Sequence, residues 1–180
     1  MNYATIKPND IANGPGVRVS LFVSGCNHHC EGCFNEVAWD FNYGDEFTDE
    51  TEKTILDALS YPHIKGLTLL GGEPMEFVNQ TGLLPLVKRV RQLYPEKTIW
   101  CYTGFLFDRD IMGEMMKRFP VTQELVPLFD VMVDGKFELA NKDIRLRFKG
   151  STNQRILDVK KSLEAGEVVL WEDESDYYTK

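Results

Sequence analysis

Short apolar runs alternate with longer amphipathic stretches along most of the chain, and this alternation predicts its secondary structure. Runs rich in β-branched and apolar residues, each bounded by turn-forming residues, predict strands over 17–23, 64–70, 98–103 and 129–135. The run over 64–70 is apolar at most positions, as in a parallel strand that is buried on both faces.

Amphipathic stretches between these runs predict three helices. Asp49 and Glu52 have the spacing of a capping box, so the first helix is expected to start there and to end before Pro62. The second helix carries apolar residues at helical spacing over 83–94, and the third covers 108–119. Strands that alternate with helices in this way predict an α/β fold with a mainly parallel sheet.

The last quarter of the chain loses this alternation. Residues 144–149 alternate between apolar and basic, which predicts a half-exposed strand. Residues 156–159 fit either a strand or the start of a helix, and residues 168–171 predict a final strand. The acidic tail that begins at Glu172 is expected to be solvated.

Length, composition and charge limit the class of protein. With 180 residues, 43% of them hydrophobic, the chain is expected to form one globular domain over residues 1–180. The formal net charge of −8 argues against a nucleic-acid partner. No apolar run approaches the roughly 18 residues of a membrane span. Residues 1–5 lack a signal-peptide pattern, so we expect a cytoplasmic protein without a membrane partner.

Three of the four cysteines lie within eight residues, directly after the first predicted strand. One tight loop can turn the thiolates of Cys26, Cys30 and Cys33 toward a common point, which indicates a zinc or iron–sulfur site. An iron–sulfur cube normally takes four ligands, so three cysteines would leave one iron open.

The same loop also fits a structural zinc site, which closes on four protein ligands. Cys101, His28 and His29 are the candidates for the fourth position. Zinc sites usually pair one Cys-x2-Cys segment with a second, distant pair, and this sequence has no second pair. The spacing therefore favours a cluster over zinc, while a disulfide or simply buried thiols fit it less well.

A glycine pair follows the second predicted strand. Gly71 and Gly72 allow a ligand to approach the backbone closely, and Glu73 adds a carboxylate that can accept a hydrogen bond from an ammonium group. Thr103 and Asp134 end two neighbouring strands, and sites in α/β sheets form at such carboxyl ends. Taken alone, these residues fit either a ligand site or ordinary turns.

Together, the two motifs resemble those of the radical S-adenosylmethionine (SAM) enzymes. Cys26-x3-Cys30-x2-Cys33 followed by Phe34 is similar to the cluster-binding signature of that family, and the Gly-Gly-Glu segment to the part that holds the methionyl amine of SAM. The resemblance implies a partial, open (β/α) barrel, a 4Fe-4S cluster on the three cysteines, and SAM on the open iron. It also implies SAM contacts from Gly32, Cys33, Phe34, Gly71, Gly72, Glu73, Thr103 and Asp134.

Further segments narrow the resemblance. The short length of the chain and three of its segments resemble those of the activating enzymes of anaerobic (class III) ribonucleoside-triphosphate reductase. The segments are residues 103–104, 133–135 and 147–155. The similarity covers residues 6–155, which makes residues 156–180 a C-terminal extension. It implies that reduced flavodoxin or a similar donor drives cleavage of SAM, and that the resulting 5′-deoxyadenosyl radical takes a Cα hydrogen from a glycine of the reductase. No catalytic residue is expected beyond the cluster and SAM.

Two alternatives keep the cysteine loop. Another radical SAM enzyme, either of the pyruvate formate-lyase activase type or a small ring-forming biosynthetic enzyme, would act on a different substrate. A non-catalytic metal-binding module would keep the cysteines alone, and the Gly-Gly-Glu segment argues against it.

A locally basic stretch near the end of the chain is a candidate partner surface. It contains Lys142, Arg145, Arg147, Lys149 and Arg155. Alternation along a strand would place the three residues from Arg145 to Lys149 on one face. Such a face fits contact with the reductase or the electron donor through charge complementarity, and it equally fits an ordinary solvated surface.

Overall fold

The computed structural model describes residues 1–173 and folds them around one seven-stranded sheet. The strands are β1 (Asn2–Asp10), β2 (Val17–Val23), β3 (Asp45–Glu46), β4 (Ile64–Gly71), β5 (Thr98–Tyr102), β6 (Val131–Asp134) and β7 (Arg155–Asp158). Their order across the sheet is β3-β1-β2-β4-β5-β6-β7. Strands β2, β4, β5 and β6 run parallel, whereas β1, β3 and β7 add antiparallel edges. The predicted α/β fold is therefore confirmed, with a parallel centre in an open sheet.

The helices follow the strands along the chain and pack against the sheet. They are α1 (Asp49–Leu59), α2 (Phe77–Leu93), α3 (Met116–Arg118), α4 (Pro120–Leu125) and α5 (Val159–Ala165). A π-helix (Phe107–Met115) precedes α3, and short 3-10 helices cover Glu36–Trp39, Val126–Leu128 and Leu139–Asn141. Among residues 1–173, no helix has both the length and the apolar character needed to cross a membrane.

Helix α1 starts and ends where the sequence predicts, but a different pair of residues caps it. Thr48 is the N-cap, and its side chain accepts from the Thr51 backbone while the Thr51 side chain accepts from the Thr48 backbone. The predicted capping pair of Asp49 and Glu52 is therefore wrong. The threonine hydroxyl at the third helical position replaces the carboxylate that the motif usually supplies.

The next two helices differ more from their predictions. Helix α2 begins at Phe77 rather than near Leu83, since its first turns bury the polar residues Asn79 and Gln80, which carry no apolar signal. The helix predicted over 108–119 is present as the π-helix followed by α3. Periodicity alone does not separate these helix types, because their spacings are similar over two turns.

Strand β1 has no counterpart in the sequence-based prediction. It pairs antiparallel with β2, with Ile6 opposite Leu21, and the pairing register shifts between Lys7 and Asp10. Most of its residues are exposed or half-buried, which is typical of a strand near a sheet edge. Without a regular apolar pattern, its sequence gives little signal for a strand.

Residues 144–149 form a loop, so the predicted strand is wrong. The Asp143 side chain accepts a hydrogen bond from the Arg145 backbone at 2.9 Å, and the Leu146 backbone donates to the Asp143 carbonyl at 3.2 Å. Phe148 has a left-handed backbone with φ of 60°. These local turns end any extended conformation.

The predictions for residues 156–171 are confirmed in part. Strand β7 ends at Asp158 and α5 begins at Val159, so each reading of residues 156–159 is right for one portion. The strand predicted over 168–171 is wrong, because this segment contributes only an isolated bridge between Leu157 and Leu170. The acidic tail beyond residue 173 lies outside the described residues.

Alternation along the strands gives the sheet two different faces. The face that meets the helices buries Val19, Leu21 and Val23 of β2 together with Leu67 and Leu69 of β4. The opposite face is more polar and more aromatic. It carries Arg18, Ser20, Thr68, Trp100, Tyr102, Val131 and Val133.

Arg18 is fully buried on this second face without a carboxylate among its hydrogen-bond partners in the described chain. Its guanidinium donates to the Thr68 hydroxyl at 2.7 Å, to the Thr98 hydroxyl at 2.9 Å, and to the Leu67 and Thr98 carbonyls. It also lies over the Trp100 ring, 5.6 Å from the centroid. Burial lowers the pKa of Arg18 to about 10, so it stays charged at neutral pH. The side chain thereby ties β2, β4 and β5 together.

We expect Arg18→Lys to lower the free energy of unfolding by about 1–3 kcal/mol, because a lysine ammonium cannot reach both threonines and leaves buried acceptors unpaired. Denaturant unfolding measures the change. The matched control is Arg89→Lys, at an exposed position on α2, which should leave the midpoint unchanged. Equal midpoints for the Arg18 variant and the parent protein would show that the hydrogen bonds of the Arg18 guanidinium contribute nothing to the free energy of unfolding.

Candidate metal centre and adjoining cavity

A cavity of about 430 Å³ lies where the parallel strands end. Its lining includes all three clustered cysteines, and apolar side chains such as Leu70, Leu146 and Phe148 cover other parts of it. Nearly every site residue predicted from the sequence lines this one cavity, namely Cys26, Cys30, Gly32, Cys33, Phe34, Gly71, Gly72, Glu73 and Thr103. Asp134 does not line it.

The cysteine loop leaves β2 and is held by backbone hydrogen bonds to the 3-10 helix that follows it. The Gly25 backbone donates to the Ala38 carbonyl at 2.8 Å, and the Cys26 backbone donates to the Trp39 carbonyl at 3.1 Å. Gly25 has φ of 95°, and a Cβ atom there would lie 2.2 Å from the Phe41 ring. Only glycine fits this exit from the strand.

The three clustered cysteines are free thiols on this loop. Burial raises the pKa of Cys26 to about 11, and burial also raises that of Cys30, so both thiols are protonated at neutral pH. Metal binding would therefore displace protons. The Cys33 backbone donates to the Cys30 carbonyl at 3.1 Å, which forms a tight turn between the last two cysteines.

The donor set fits an iron–sulfur cluster better than a closed zinc site. Within residues 1–173, no three His, Cys, Asp or Glu side chains are already gathered closely enough to hold a metal ion. The three candidates for a fourth zinc ligand each have other contacts. Cys101 is buried on the helix face of β5, His28 contacts Glu73, and the His29 ring stacks on Trp39 at 4.6 Å between centroids. The three clustered thiols lie on one loop and line one cavity.

Gly71 and Gly72 bring the Gly-Gly-Glu segment directly against the cysteine loop. The Gly72 backbone donates to the Val23 carbonyl at 2.7 Å, and the Glu73 backbone donates to the Gly25 carbonyl at 2.8 Å. A Cβ atom on Gly72 would lie 2.6 Å from the Gly25 carbonyl oxygen, and Gly71 has φ of 110°. Larger residues would force the two segments apart.

Glu73 is 1% exposed, and its carboxylate joins three segments of the chain. One oxygen accepts from the Met75 backbone at 2.8 Å. The other accepts from the Gly104 backbone at 2.7 Å and from His28 Nε2 at 2.9 Å. Both oxygens thus already have donors within the chain, so Glu73 shapes this loop.

His28 lies between the cysteine loop and the end of β5. Its ring meets Phe105 edge-on at 4.5 Å between centroids, and a Cβ atom on Gly104 would lie 2.4 Å from the ring. Gly104 therefore leaves room for the His28–Glu73 contact. From the sequence alone His28 is a candidate fourth zinc ligand, and its contact with Glu73 gives no signal there because the two residues are distant along the chain.

Two residues of the α2 region also hold the cysteine loop, and neither is predicted from the sequence. The Asn79 amide donates to the carbonyls of Ser24 and Glu73, each at 2.9 Å. One Glu76 oxygen accepts from the Asn27 backbone at 3.1 Å and from its side chain at 2.9 Å. Asn79 is fully buried, and the only trace of it in the sequence is a polar amide shortly before an apolar helical repeat, which does not reveal its partner.

Asp134 is fully buried and has structural partners. It accepts from the Phe107 backbone at 2.8 Å and from Arg155 Nε at 2.9 Å, and Arg155 also pairs with Asp108 at 2.9 Å. These carboxylates raise the pKa of Arg155 above its ordinary value. Asp134 therefore joins β6, β7 and the π-helix, and its expected contact with SAM has no support in this geometry. Thr103 does line the cavity, and its hydroxyl accepts from the Phe105 backbone.

Residues 150–154 form a polar loop that is clamped by its own side chains. The Gln154 side-chain oxygen accepts from the Gly150 backbone at 2.8 Å and from the Ser151 backbone at 3.2 Å, while its amide donates to the Gly135 carbonyl at 2.9 Å. The Asn153 amide donates to the Lys136 carbonyl at 2.9 Å. The sequence motif that narrows the family resemblance thus fixes one wall of the cavity.

The basic residues do not form the strand face expected from the sequence. Arg145 pairs with Asp143 at 2.8 Å, Arg147 pairs with Asp173, and Lys149 donates to a backbone carbonyl. The alignment on one face is wrong, because the strand itself is replaced by turns. Arg145 and Arg147 are therefore charge-paired within the chain, whereas Lys149 contacts a neutral carbonyl.

Comparison with known proteins agrees with the cysteine-based reading. The sequence model of a family described as a 4Fe-4S single cluster domain matches residues 12–157. A protein of Pasteurella multocida (strain Pm70) is 42% identical over 158 residues, which cover 87% of this chain and 96% of the relative. Proteins of Escherichia coli (strain K12) and Enterobacteria phage T4 are each 42% identical over 156 residues, covering 86% and 87% of this chain and 96% and 93% of the relatives.

All three relatives bear the name anaerobic ribonucleoside-triphosphate reductase-activating protein. The similarity extends over nearly the whole length of each relative, and the family match spans the cysteine loop, the Gly-Gly-Glu segment and the clamped loop around one cavity. The chain therefore belongs to the family of anaerobic ribonucleoside-triphosphate reductase-activating proteins and contains its 4Fe-4S domain.

Proposed function

We propose that this chain is a radical SAM activase that generates a glycyl radical on an anaerobic ribonucleoside-triphosphate reductase. The observation that carries the proposal is the direct bonding of the two motifs, since the Glu73 backbone donates to the Gly25 carbonyl at the entrance of the cysteine loop. A non-catalytic metal-binding module would not need a glycine pair packed against its cysteines. When bound together, a 4Fe-4S cluster and SAM supply one-electron reductive cleavage to methionine and a 5′-deoxyadenosyl radical.

Cys26, Cys30 and Cys33 would hold the cluster and leave one iron for the amine and carboxylate of SAM. The outer side of their loop is exposed at His29 and Glu31. An electron donor, such as reduced flavodoxin or a similar small protein, can therefore approach the loop from solvent.

The SAM contacts that we propose come from the cavity lining. Gly71 and Gly72 expose backbone groups beside the cysteine loop, and Glu73 holds that backbone in position. Thr103 adds a polar group at the end of β5. Phe34 is 84% exposed at the cavity, so an adenosyl group can cover its ring. Gly32 would contact the cofactor through its backbone.

The substrate of the radical step would be a backbone glycine on the glycine-bearing subunit of the reductase. The apolar side chains of Leu70, Leu146 and Phe148 line the cavity and would limit the access of water to the reacting atoms. In this proposal the open sheet, with its site at the carboxyl ends of parallel strands, is the partial (β/α) barrel of the radical SAM enzymes.

Anaerobic reconstitution with iron and sulfide, followed by SAM, a chemical reductant and product analysis, tests the activity directly. We expect 5′-deoxyadenosine and methionine, and we expect a glycyl radical signal when the reductase is present. Product without a radical on the reductase would indicate a different radical SAM substrate. A bound metal without any SAM cleavage would indicate a non-catalytic module.

We expect Cys26→Ala, Cys30→Ala and Cys33→Ala each to abolish cluster assembly and SAM cleavage, because the described part of the loop has no spare thiol. Iron and sulfide analysis with the visible spectrum measures assembly. The matched control is Cys101→Ala, which removes a thiol buried on the helix face of β5 and should keep both cluster and cleavage. Loss of the cluster in that variant alone would show that four cysteines close the site and that no iron is left open.

We expect Glu73→Ala to weaken SAM binding by about 10- to 100-fold, because the loss of one carboxylate leaves three buried donors unpaired. Iron content should stay at the parent level, since no cysteine is removed. Equilibrium binding of SAM to the reconstituted protein gives the affinity. Glu31→Ala, an exposed acid in the cysteine loop, serves as the control and should bind normally. If the Glu73 variant binds SAM with the parent affinity, Glu73 is an ordinary turn residue without a role in SAM binding.

A further inference from the structure

Tyr102 has a buried hydroxyl group whose hydrogen-bond partner is missing. It is the last residue of β5, and its ring packs on the second face of the sheet beside Trp100, Val131 and Val133. Within residues 1–173, nothing donates to or accepts from the Tyr102 hydroxyl. An unpaired buried hydroxyl costs about 1–3 kcal/mol, so native proteins seldom keep one without a reason.

Tyr94 shows how the chain treats another partly buried tyrosine. The Tyr94 hydroxyl donates to the Leu56 carbonyl at 3.0 Å. Tyr102 is different because it lines the cavity, together with Leu70 and Phe148. The residues that follow it, Thr103 and Gly104, line the same cavity.

The surroundings of Tyr102 indicate which kind of partner is missing. Burial raises the pKa of Tyr102 well above its ordinary value, so the hydroxyl keeps its proton at any working pH. Arg18 lowers this pKa and Asp10 raises it, and both effects are smaller than that of burial. A protonated phenol has one O–H to donate, so an oxygen acceptor on a ligand would satisfy it.

We infer that the Tyr102 hydroxyl donates a hydrogen bond to an oxygen of the ligand bound in this cavity and is a positioning residue for the reaction. The identity of that ligand rests on the proposed function. Two sources offer a suitable oxygen, namely the carboxylate or ribose of SAM and a backbone carbonyl beside the target glycine of the reductase. The unpaired hydroxyl then destabilises the ligand-free protein, and ligand binding removes this destabilisation.

The test is Tyr102→Phe in the full-length, anaerobically reconstituted protein. Without ligand, removing an unpaired hydroxyl should raise the thermal midpoint by about 2–4 °C. If SAM supplies the oxygen, SAM should bind about three- to tenfold more weakly. If the reductase supplies it, SAM affinity should stay constant, and half-maximal radical formation should require a three- to tenfold higher reductase concentration.

Tyr94→Phe is the matched control, and its thermal midpoint should change in the opposite direction. It removes a hydroxyl that has a partner outside the cavity, so it should lower the thermal midpoint and leave both binding measurements at the parent values. A merely structural role for Tyr102 would give this same result.

Two results overturn the inference. Unchanged affinities for both SAM and the reductase would mean that the hydroxyl does not serve the ligand, and a lowered midpoint in Tyr102→Phe would mean that it already has a partner. The parent protein is measured first. A parent that binds no SAM and forms no radical contradicts the proposed function itself, whereas a competent parent with an indistinguishable variant contradicts only the role of Tyr102.

Discussion

The site depends on one buried carboxylate, that of Glu73. An anion with so little exposure is stable only when donors surround it, and its three donors come from three separate segments of the chain. His28 belongs to the cysteine loop after β2, Met75 follows β4, and Gly104 follows β5. The carboxylate therefore sets the separation between the cysteine loop and the ends of β4 and β5. Gly72 and Gly104 lack side chains because this arrangement leaves no space for a Cβ atom.

Polar contacts fix the scaffold on either side of that junction. Arg18 binds the central strands through Thr68 and Thr98 on the second face of the sheet. Asp134 and Arg155 join β6 to β7 and to the π-helix. The cavity walls thus stand on strands with hydrogen-bonded supports, as a site needs when it must hold reacting groups in a fixed geometry.

The sequence identifies the central strands and the two motifs that meet at the cavity, because those features are local. Buried parallel strands appear as apolar runs, and the cysteine and glycine motifs lie directly after them. The supports of the site are not local. Asn79 and Glu76 contact the cysteine loop across the fold, and neither position has a spacing that reveals its partner.

The error over residues 144–149 has a related cause. Alternating apolar and basic residues fit a strand, but Asp143 competes by bonding the Arg145 backbone and turns the chain. Strand β1 is not predicted for the opposite reason, since a mostly exposed strand shows no apolar alternation. In both segments, hydrogen bonding rather than burial decides the backbone conformation.

The central claim is that this chain removes a hydrogen atom from a backbone glycine of the reductase. Isotope transfer tests it most directly, with a reductase produced from glycine that carries deuterium on its α-carbon. The reconstituted protein is incubated anaerobically with SAM, a reductant and this reductase, and the 5′-deoxyadenosine is examined by mass spectrometry. The account predicts one deuterium per molecule of product formed alongside the glycyl radical. Product that carries no deuterium, although a radical forms, would contradict it.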